Sequence, residues 1–301
     1  MLDTIIIGSG PAGLSASIYI KRANLNVSVV EKEYEGTGQV IESGKVDNYL
    51  GLPGISGYEL GEKFRNHALG LGVDFIEDNV IKIEKQKDKG FRIYVENDDY
   101  LESKTVIYAA GASHRKLELL GADKYLGRGI SYCAICDGPL YKDKIVAVIG
   151  GGDSALDEAA YLSEIAQKVY LIHRRKEFRG SQSTLDLLRK KENVKIITNE
   201  QLDCVLGDNN ITGILLKNKR KIEVNGIFSA IGMIPRTEIL KNFVDLDEYG
   251  YVKANESGKT NIEGFFVAGD VRQKELRQIS TAVSDGANAA TSAINYIRNN
   301  V

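Results

Sequence analysis

The sequence predicts an α/β protein with two domains of similar architecture, one of them inserted into the other. A pattern of strand, glycine-rich turn, helix and strand occurs twice, beginning near Asp3 and again near Lys144. A further strand and helix follow late in the chain, at residues 264–268 and 279–298. The chain has 301 residues, of which 43% are hydrophobic, enough to bury a core in each of two domains.

The first copy of the pattern opens the chain. Residues 3–7 are predicted as a β-branched strand, residues 14–23 as a helix and residues 26–31 as a second strand. The turn reads Gly-Ser-Gly-Pro-Ala-Gly, in which the first glycine permits the tight bend, the second admits a pyrophosphate and the third lets helix and strand pack closely. The residues predicted to hold a dinucleotide are Gly8, Gly10, Pro11, Ala12 and Gly13.

The second copy has strands at residues 144–149 and 168–172, with a helix that ends near Ala166. Its turn reads Gly-Gly-Gly-Asp-Ser-Ala, with the alanine that the motif allows at the third glycine position. One such turn is weak evidence, but a strand and a helix flank both copies. We therefore predict two Rossmann-like domains, each a three-layer ββα arrangement. The residues predicted for the second site are Gly150, Gly152, Asp153, Ser154 and Ala155.

The residues that end the second strand of each copy predict different cofactors. Glu31 can accept hydrogen bonds from ribose hydroxyls, which suits FAD or NAD. At the equivalent place in the second copy the chain reads His173-Arg174-Arg175, and Arg179 follows. Guanidinium groups match a 2′-phosphate, so this site predicts NADPH. A solvated basic loop is the alternative, but the equivalence with Glu31 favours the cofactor.

The order of these elements predicts the domain boundaries. A complete dinucleotide unit lies between an N-terminal unit and a C-terminal strand and helix, so we expect the chain to cross between domains near residues 112–117 and 241–246. One domain then comprises residues 1–115 and 245–301. The inserted domain comprises residues 116–244.

Cys133 and Cys136 predict a redox centre in the inserted domain. Such a pair can open and close as a disulfide and often has a lowered thiol pKa. Half of a zinc site is the competing interpretation, but the chain has no second Cys-x-x-Cys and only three histidines, so we predict no metal. Asp137 could protonate a thiolate, with its pKa raised by burial, or form the turn before Gly138, and the two roles are compatible. The isolated Cys204 is predicted to be a partly buried apolar residue.

The bulk properties argue against several classes of function. Thirty-nine basic and 41 acidic side chains give a net charge of -2, which provides no broad field for nucleic acid or an anionic membrane. The start of the chain has no basic segment, and its apolar run stops at Ile7, so neither a signal peptide nor a membrane span is predicted. Three cysteines, two of them paired in sequence, indicate a catalytic dithiol in a reducing compartment, and we expect a cytoplasmic protein.

Five features in order make the chain similar to the low-molecular-weight, bacterial-type thioredoxin reductases over essentially its whole length. They are the turn from Gly8, Gly38-Gln39 with residues 46–49, residues 133–138, the turn from Gly150 with residues 173–179, and residues 269–271 with 277–279. Small departures at Tyr132, Ile135 and Arg236 bear on substrate preference.

The resemblance implies FAD in the first domain, NADPH in the inserted domain, and thioredoxin as the protein that takes the electrons. It implies that Cys136 faces the flavin, that Cys133 exchanges with the protein substrate, that Asp137 is the acid and that the chain forms a homodimer. The implied FAD contacts, besides the first glycine turn, are Glu31, Gly38, Gln39, Asn48, Val80, Gly111, Gly269, Asp270, Arg277, Gln278 and Ile279.

The position of the dithiol also predicts a motion. The cysteines and the NADPH site belong to the same inserted domain, yet both must reach one flavin held by the other domain. We therefore expect the inserted domain to rotate between two orientations during turnover.

Other functions use parts of the same machinery. A ferredoxin-type donor could replace NADPH, although the arginine cluster argues against it, and a glutaredoxin-like protein or a peroxidase partner could replace thioredoxin. From a different class, the chain could be a non-catalytic flavoprotein sensor or a module that uses its two cysteines to hold a metal.

Overall fold

The computed structural model describes residues 1–33, 37–43, 45–87, 90–97, 100–119 and 121–300. The chain divides into two compact units: unit 1 comprises Met1–Ser113 and Ile234–Val301, and unit 2 comprises His114–Met233. The second crossing thus falls at residues 233–234, before the predicted residues 241–246. The reason is that Leu240 and Val244 are buried in the hydrophobic core of unit 1.

The N-terminal part of unit 1 forms most of its sheet. Its elements in chain order are β1 (Leu2–Ile7), α1 (Pro11–Arg22), β2 (Val27–Glu31), α2 (Gly57–Gly70), β3 (Asp74–Glu77), β4 (Val80–Gln86), β5 (Gly90–Val95), β6 (Leu101–Tyr108) and β7 (Ala112–His114). Strands β3, β2, β1 and β6 lie side by side in that order and are parallel, whereas β4, β5 and β6 are joined in antiparallel pairs.

Unit 2 has a second parallel sheet. Its elements are β8 (Ile130–Ser131), α3 (Ala134–Asp137), β9 (Ile145–Gly150), α4 (Asp153–Ser163), β10 (Lys168–His173), α5 (Gln182–Lys190), β11 (Val194–Thr198), β12 (Leu202–Gly207), β13 (Ile211–Leu216), β14 (Lys221–Glu223) and β15 (Gly226–Ala230). Its order is β11, β10, β9, β15, β8, all parallel, and β12, β13 and β14 form a separate antiparallel sheet.

The rest of the chain returns to unit 1. Strand β16 (Met233–Pro235) pairs with β7, so the two crossings of the chain form a small two-stranded sheet. Strand β17 (Phe265–Val267) then joins the main sheet beside β6, in parallel, and α6 (Ile279–Asn300) ends the unit. The prediction of an α/β protein with two Rossmann-like domains is confirmed.

Each parallel sheet is buried on both faces, which is why its strands are almost wholly apolar. In β1, for example, Ile6 packs in the cluster formed with helices α1 and α6, whereas Ile5 and Ile7 pack on the opposite side with residues of β4 and β5. In unit 2, Val148 faces α4 and α5, and Ala147 faces the antiparallel sheet. Both units therefore have the three layers predicted from the sequence.

Local signals explain where the helices begin. Pro11 occupies the first turn of α1, where its missing N–H costs nothing, so this helix starts before the predicted residue 14. Helix α2 begins with a capping box, in which the Ser56 hydroxyl accepts from the Glu59 N–H and the Glu59 carboxylate accepts from the Ser56 N–H.

Helices α1 and α6 approach each other so closely that one position admits no side chain. A Cβ added to Gly286 of α6 would lie 2.1 Å from the Ala12 carbonyl oxygen of α1. Ala289, Ala290 and Ala293 continue the same contact and are fully buried. The small side chains of α6 thus set how near it lies to the N-terminus of α1.

We expect Gly286→Ala to destabilise the protein by about 1–3 kcal/mol, because a backbone atom must move to admit the methyl group. Gly70→Ala is the control, since no atom lies within 4 Å of a Cβ at this helical position; it should change stability by no more than about 1 kcal/mol, in the stabilising direction. Urea unfolding followed by circular dichroism measures both. Equal effects of the two substitutions would contradict this account of the packing.

Candidate functional site

The first glycine turn joins β1 to α1 as the sequence predicts. Gly8 has φ +102°, and a Cβ there would lie 2.5 Å from the Ala109 carbonyl oxygen. A Cβ on Gly13 would lie 1.9 Å from the Gly8 carbonyl oxygen, so the helix packs directly on the turn. Gly10 is the N-cap of α1, followed by Pro11 and the buried Ala12. The free N–H groups of the first helical turn are therefore available to a phosphate.

Glu31 ends β2 beside this turn. Its Oε2 accepts hydrogen bonds from the Ser9 N–H at 2.8 Å and the Ser9 hydroxyl at 2.7 Å, and its Oε1 accepts from the Lys32 N–H at 2.8 Å. Ser9, which the motif leaves variable, thus holds the carboxylate in place. Glu31 lies at the position where a carboxylate accepts hydrogen bonds from the adenosine ribose of a dinucleotide bound to such a turn.

A second segment of unit 1 lies against the same turn. Gly38 has φ +72°, and a Cβ there would be 2.9 Å from the Gly10 Cα, so the two backbones touch. The half-buried Gln39 follows in the 3-10 turn Gly38–Glu42. Nearby, the exposed Asn48 donates from Nδ2 to Gln278 Oε1 at 2.9 Å, and Ile279 packs against the small cluster that contains Val40. The predicted residues Gln39, Asn48, Gln278 and Ile279 therefore belong to neighbouring segments.

Asp270 lies in the turn after β17. Gly269 has φ +79°, and a Cβ there would be 2.9 Å from the Ala12 Cβ, which places this turn against the start of α1. Burial raises the pKa of Asp270, and Lys274 opposes the shift. Its Oδ1 is 3.3 Å from Lys274 Nζ but has no hydrogen-bond partner among the described residues. Arg277 donates from Nε to the Asp270 carbonyl at 3.5 Å.

A buried ionic cluster that sequence reasoning missed supports the Asp270 turn. Asp285 on α6 accepts from the Arg272 guanidinium at 3.0 and 3.3 Å, from Lys274 Nζ at 3.2 Å and from the Gly269 N–H at 3.1 Å. The side chains of Asp285, Arg272 and Lys274 are each no more than 6% exposed. Their spacing in sequence resembles no known motif for binding, so only the fold reveals the cluster.

The remaining two predicted residues of unit 1 lie at strand ends. Gly111 has φ +72°, no atom lies within 4 Å of a Cβ there, and its carbonyl accepts from the Arg236 N–H at 3.0 Å. Val80 is buried at the start of β4. Both positions are compatible with a ligand at the carboxyl edge of the sheet.

The second glycine turn joins β9 to α4. A Cβ on Gly150 would lie 2.3 Å from the Ala230 carbonyl oxygen and 2.7 Å from the Ala155 Cβ, so strand and helix are again in close contact. Gly152 is the N-cap of α4, and no atom lies within 4 Å of a Cβ there. Asp153 accepts from the Ser181 N–H at 2.7 Å, and the neighbouring Ser154 is exposed.

His173 ends β10 with its ring packed against the second glycine turn. The ring is buried, and a Cβ on Gly151 would lie 2.3 Å from its Nδ1. Its Nε2 pairs with the Glu177 carbonyl at 3.1 Å, and it packs on Phe178 with the ring centroids 4.9 Å apart. Burial, and then the charges of the nearby arginines, lower the pKa of His173. The histidine therefore supports this loop from its inner side, and its contact with NADPH stays a prediction.

The three arginines of the same segment are exposed. Arg175 and Arg179 line an open cleft of about 340 Å³ with Lys176, Glu177 and Phe178. The Arg179 N–H donates to the Gly151 carbonyl at 2.7 Å, which ties this basic loop to the glycine turn. The loop that carries this positive charge thus lies beside the glycine turn that precedes α4.

The two cysteines form a disulfide in unit 2. Cys133 is the N-cap of the short helix α3, the Cα atoms of Cys133 and Cys136 are 5.3 Å apart, and the Cys136 N–H donates to Cys133 Sγ at 3.2 Å. Both residues are partly exposed. Cys204, on β12, is a free and partly exposed thiol.

Asp137 follows directly and has the character of an acid. Its N–H donates to the Cys133 carbonyl at 3.1 Å. Burial raises the pKa of Asp137, while the Ser131 hydroxyl opposes the shift.

The described part of the chain shows neither a metal site nor a membrane-spanning helix. No three His, Cys, Asp or Glu side chains of the described part of the chain converge as a metal site requires. Within the same part of the chain, none of the helices has the length and apolar character needed to cross a bilayer.

Asp285→Asn tests the buried cluster. Removing this carboxylate leaves Arg272 and Lys274 buried without their main partner, and we expect a loss of about 3 kcal/mol of stability in urea unfolding. Asp186→Asn removes the same type of group from an exposed pair with Arg189 and should cost less than about 1 kcal/mol. A loss for Asp285→Asn no larger than that of the control would show that the cluster does not stabilise the turn.

Comparison with known proteins identifies the family to which this chain is similar. A model of the family described as pyridine nucleotide-disulphide oxidoreductase matches residues 2–286. A thioredoxin reductase of Mycoplasma pneumoniae is 43% identical over 290 residues, which cover 94% of this chain and 91% of the relative. The crystal structure of thioredoxin reductase from Streptococcus pyogenes is 37% identical, covers 99% of both chains and has a TM-score of 0.94.

A more distant solved structure agrees. The thioredoxin reductase from Giardia duodenalis is 32% identical, with a TM-score of 0.93 and 99% coverage of both chains. The match of fold and sequence therefore extends over both glycine turns and the disulfide. The chain belongs to the pyridine nucleotide-disulphide oxidoreductase family.

Proposed function

We propose that the chain is an NADPH-dependent thioredoxin-disulfide reductase that uses FAD and the Cys133–Cys136 disulfide. The observation that carries this proposal is the placement of a disulfide in the same unit as a glycine turn with a basic cleft. Relatives that share most of this chain's length are thioredoxin reductases. A dithiol and a nicotinamide site in one unit suit a route for electrons that begins at NADPH and ends at a protein disulfide.

The residues of unit 1 fit FAD. The backbones of Gly10 and Gly38 meet without side chains. The buried Oδ1 of Asp270, 3.3 Å from Lys274 Nζ, has no hydrogen-bond partner among the described residues, as expected of a group that awaits a polar ligand. FAD, when bound, would accept a hydride and pass two electrons to the disulfide. The residues proposed to hold it are those of the first glycine turn with Glu31, Gly38, Gln39, Asn48, Val80, Gly111, Gly269, Asp270, Arg277, Gln278 and Ile279.

The residues of unit 2 fit NADPH. The open backbone at Gly152 leaves room for a pyrophosphate at the N-terminus of α4. The segment that follows β10 has three exposed guanidinium groups, those of Arg174, Arg175 and Arg179. In a Rossmann-like domain the adenosine ribose and its phosphate bind beside this segment. We propose that these arginines bind the 2′-phosphate and give the preference for NADPH over NADH.

The thiol chemistry requires protons. Reduction breaks the S–S bond, takes up two electrons and yields two thiols, which requires two protons. NADPH delivers one with its hydride, and we propose that Asp137 passes on the second, since burial raises its pKa. Cys133 then attacks the disulfide of thioredoxin, and Cys136 displaces the reduced protein by closing the ring again.

Three further parts of the proposal concern the whole protein. We propose that His114–Met233 reorients during turnover, because its dithiol and its nicotinamide site must use the same flavin in turn. By its resemblance to the relatives we propose a homodimer. The single cysteine pair in a chain of this length supports a cytoplasmic location.

The decisive experiment follows NADPH oxidation at 340 nm with purified, FAD-loaded protein and oxidised thioredoxin. We expect oxidation to require both FAD and thioredoxin. Cys133→Ser should abolish thioredoxin reduction while NADPH still bleaches the visible flavin absorbance, and Cys204→Ser should behave as the unaltered chain. Turnover of thioredoxin by Cys133→Ser, or a protein that cannot take up FAD, would refute the proposed function.

The arginines give a test of cofactor preference. We expect Arg175→Ala and Arg179→Ala each to lower kcat/KM for NADPH by about 10- to 100-fold, because each removes a charged hydrogen bond to the 2′-phosphate, and to leave kcat/KM for NADH within about twofold. Arg189→Ala, an arginine of α5 paired with Asp186, is the matched control and should change neither. Parallel losses with both cofactors would count against a phosphate contact.

A further inference from the structure

Lys274 is a buried lysine of unit 1 that the proposed chemistry does not use. Its side chain is 6% exposed, and it lies in the segment between β17 and α6. Its Nζ donates to Asp285 Oδ2 at 3.2 Å and to Thr281 Oγ1 at 3.4 Å. An ammonium group is buried only at a cost in free energy, so the charge of Lys274 must be compensated by the carboxylates around it.

Lys274 belongs to a row of five side chains whose charges alternate in sign, here called the charge chain. Glu256 pairs with Arg272 at 3.1 Å, Arg272 with Asp285 at 3.0 Å, Asp285 with Lys274 at 3.2 Å, and Lys274 with Asp270 at 3.3 Å. The Glu256 side chain is 83% exposed, whereas those of the next three members are no more than 6% exposed. The charge chain therefore runs from the surface through the interior to Asp270.

Asp270 is the end of the charge chain that reaches the proposed FAD site. Its side chain is 23% exposed, so a ligand can reach it. The preceding residue lies against the first turn of α1, since a Cβ on Gly269 would be 2.9 Å from the Ala12 Cβ. A pyrophosphate at this helix N-terminus carries two negative charges. A carboxylate beside it would be repelled unless a cation offset its charge.

Lys274 offers its charge to Asp270 without a hydrogen bond. Its Nζ is 3.3 Å from Asp270 Oδ1, yet this buried oxygen has no hydrogen-bond partner among the described residues, and Nζ donates to Asp285. Arg277 also lies near Asp270, but it donates to the backbone carbonyl at 3.5 Å, and its guanidinium stacks 4.1 Å from the centroid of the Tyr251 ring. The carboxylate of Asp270 thus remains able to accept from a hydroxyl of a ligand.

We propose that Lys274 is a positioning residue of the FAD site, which supplies the countercharge that keeps Asp270 a charged acceptor for a hydroxyl group of the cofactor. The charge chain holds Lys274 in place, because Asp285 is itself fixed by Arg272 and by the Gly269 N–H at 3.1 Å. The proposal rests on the binding of FAD by unit 1 given above. The electrostatics agree, since burial raises the pKa of Asp270 and the charge of Lys274 opposes that shift.

The test measures the dissociation constant of FAD for full-length protein from which bound FAD has first been removed. Titration with FAD, followed by the change in flavin fluorescence, gives the constant for the unaltered chain, for Lys274→Met, for Asp270→Asn and for the variant with both substitutions. Lys274→Met removes the charge but keeps an unbranched side chain. Asp270→Asn removes the charge that Lys274 compensates.

We expect Lys274→Met alone to weaken FAD binding by about tenfold or more, because the carboxylate loses its countercharge. In the Asp270→Asn background the same substitution should weaken binding by no more than about threefold, because the asparagine has no charge to compensate. A purely structural role of Lys274 would give the same factor in both backgrounds.

Lys104→Met is the matched control. Lys104 pairs with Asp3 at 2.9 Å in unit 1, near the start of β1, whereas the first glycine turn follows the other end of that strand. This substitution also removes a lysine from an ion pair, but we expect it to leave the dissociation constant of FAD within about twofold of the unaltered chain.

Equal factors in the two backgrounds, or a loss for Lys274→Met no larger than that for Lys104→Met, would overturn the proposal. If Lys274→Met does not fold, Lys274→Gln, which keeps a donor for Asp285 but has no charge, is compared in the same two backgrounds and decides in the same way. An unaltered chain that takes up no FAD would instead refute the proposed function, and this inference with it.

Discussion

In each unit a helix must begin directly against the end of a central parallel strand, and the rest of the structure depends on this contact. It is so close that a side chain at Gly13 would meet the Gly8 carbonyl, and a side chain at Gly150 would meet Ala155. The free N–H groups of the helix are thereby held at the same edge of the sheet where the next strand ends. The last residues of that strand consequently decide what the site can bind.

The residues that follow the second strand of the glycine-turn motif carry opposite charges in the two units. In unit 1 the negatively charged Glu31 is held in place by hydrogen bonds from Ser9. In unit 2 the positively charged Arg175 and Arg179 line an open cleft. In unit 2 the helix that forms the phosphate site also packs against the dithiol helix. One helix thus links the groups that bind the electron donor to the groups that surround the disulfide, within a single unit.

Features that depend on a few neighbouring residues could be predicted from the sequence. The glycine turns, the cysteine pair and the raised pKa of Asp137 belong to this class, because turn geometry and local burial determine them. The inward position of His173 could not be predicted, since it depends on the space left by Gly151 in another segment. Asp285 was missed for the same reason: its partners lie on other elements, and in sequence it resembles an ordinary helical acid.

Unit 1 is discontinuous, and this has a consequence for synthesis on the ribosome. Its central strand β6 pairs with β17, and α1 packs on α6, yet β17 and α6 are translated only after the whole of unit 2. Unit 2 is continuous in sequence and can fold as soon as it leaves the exit tunnel. The nascent N-terminal segment must therefore keep the apolar face of α1 uncovered until α6 has been translated, and we expect chaperones that recognise exposed apolar surface to act on it during that interval.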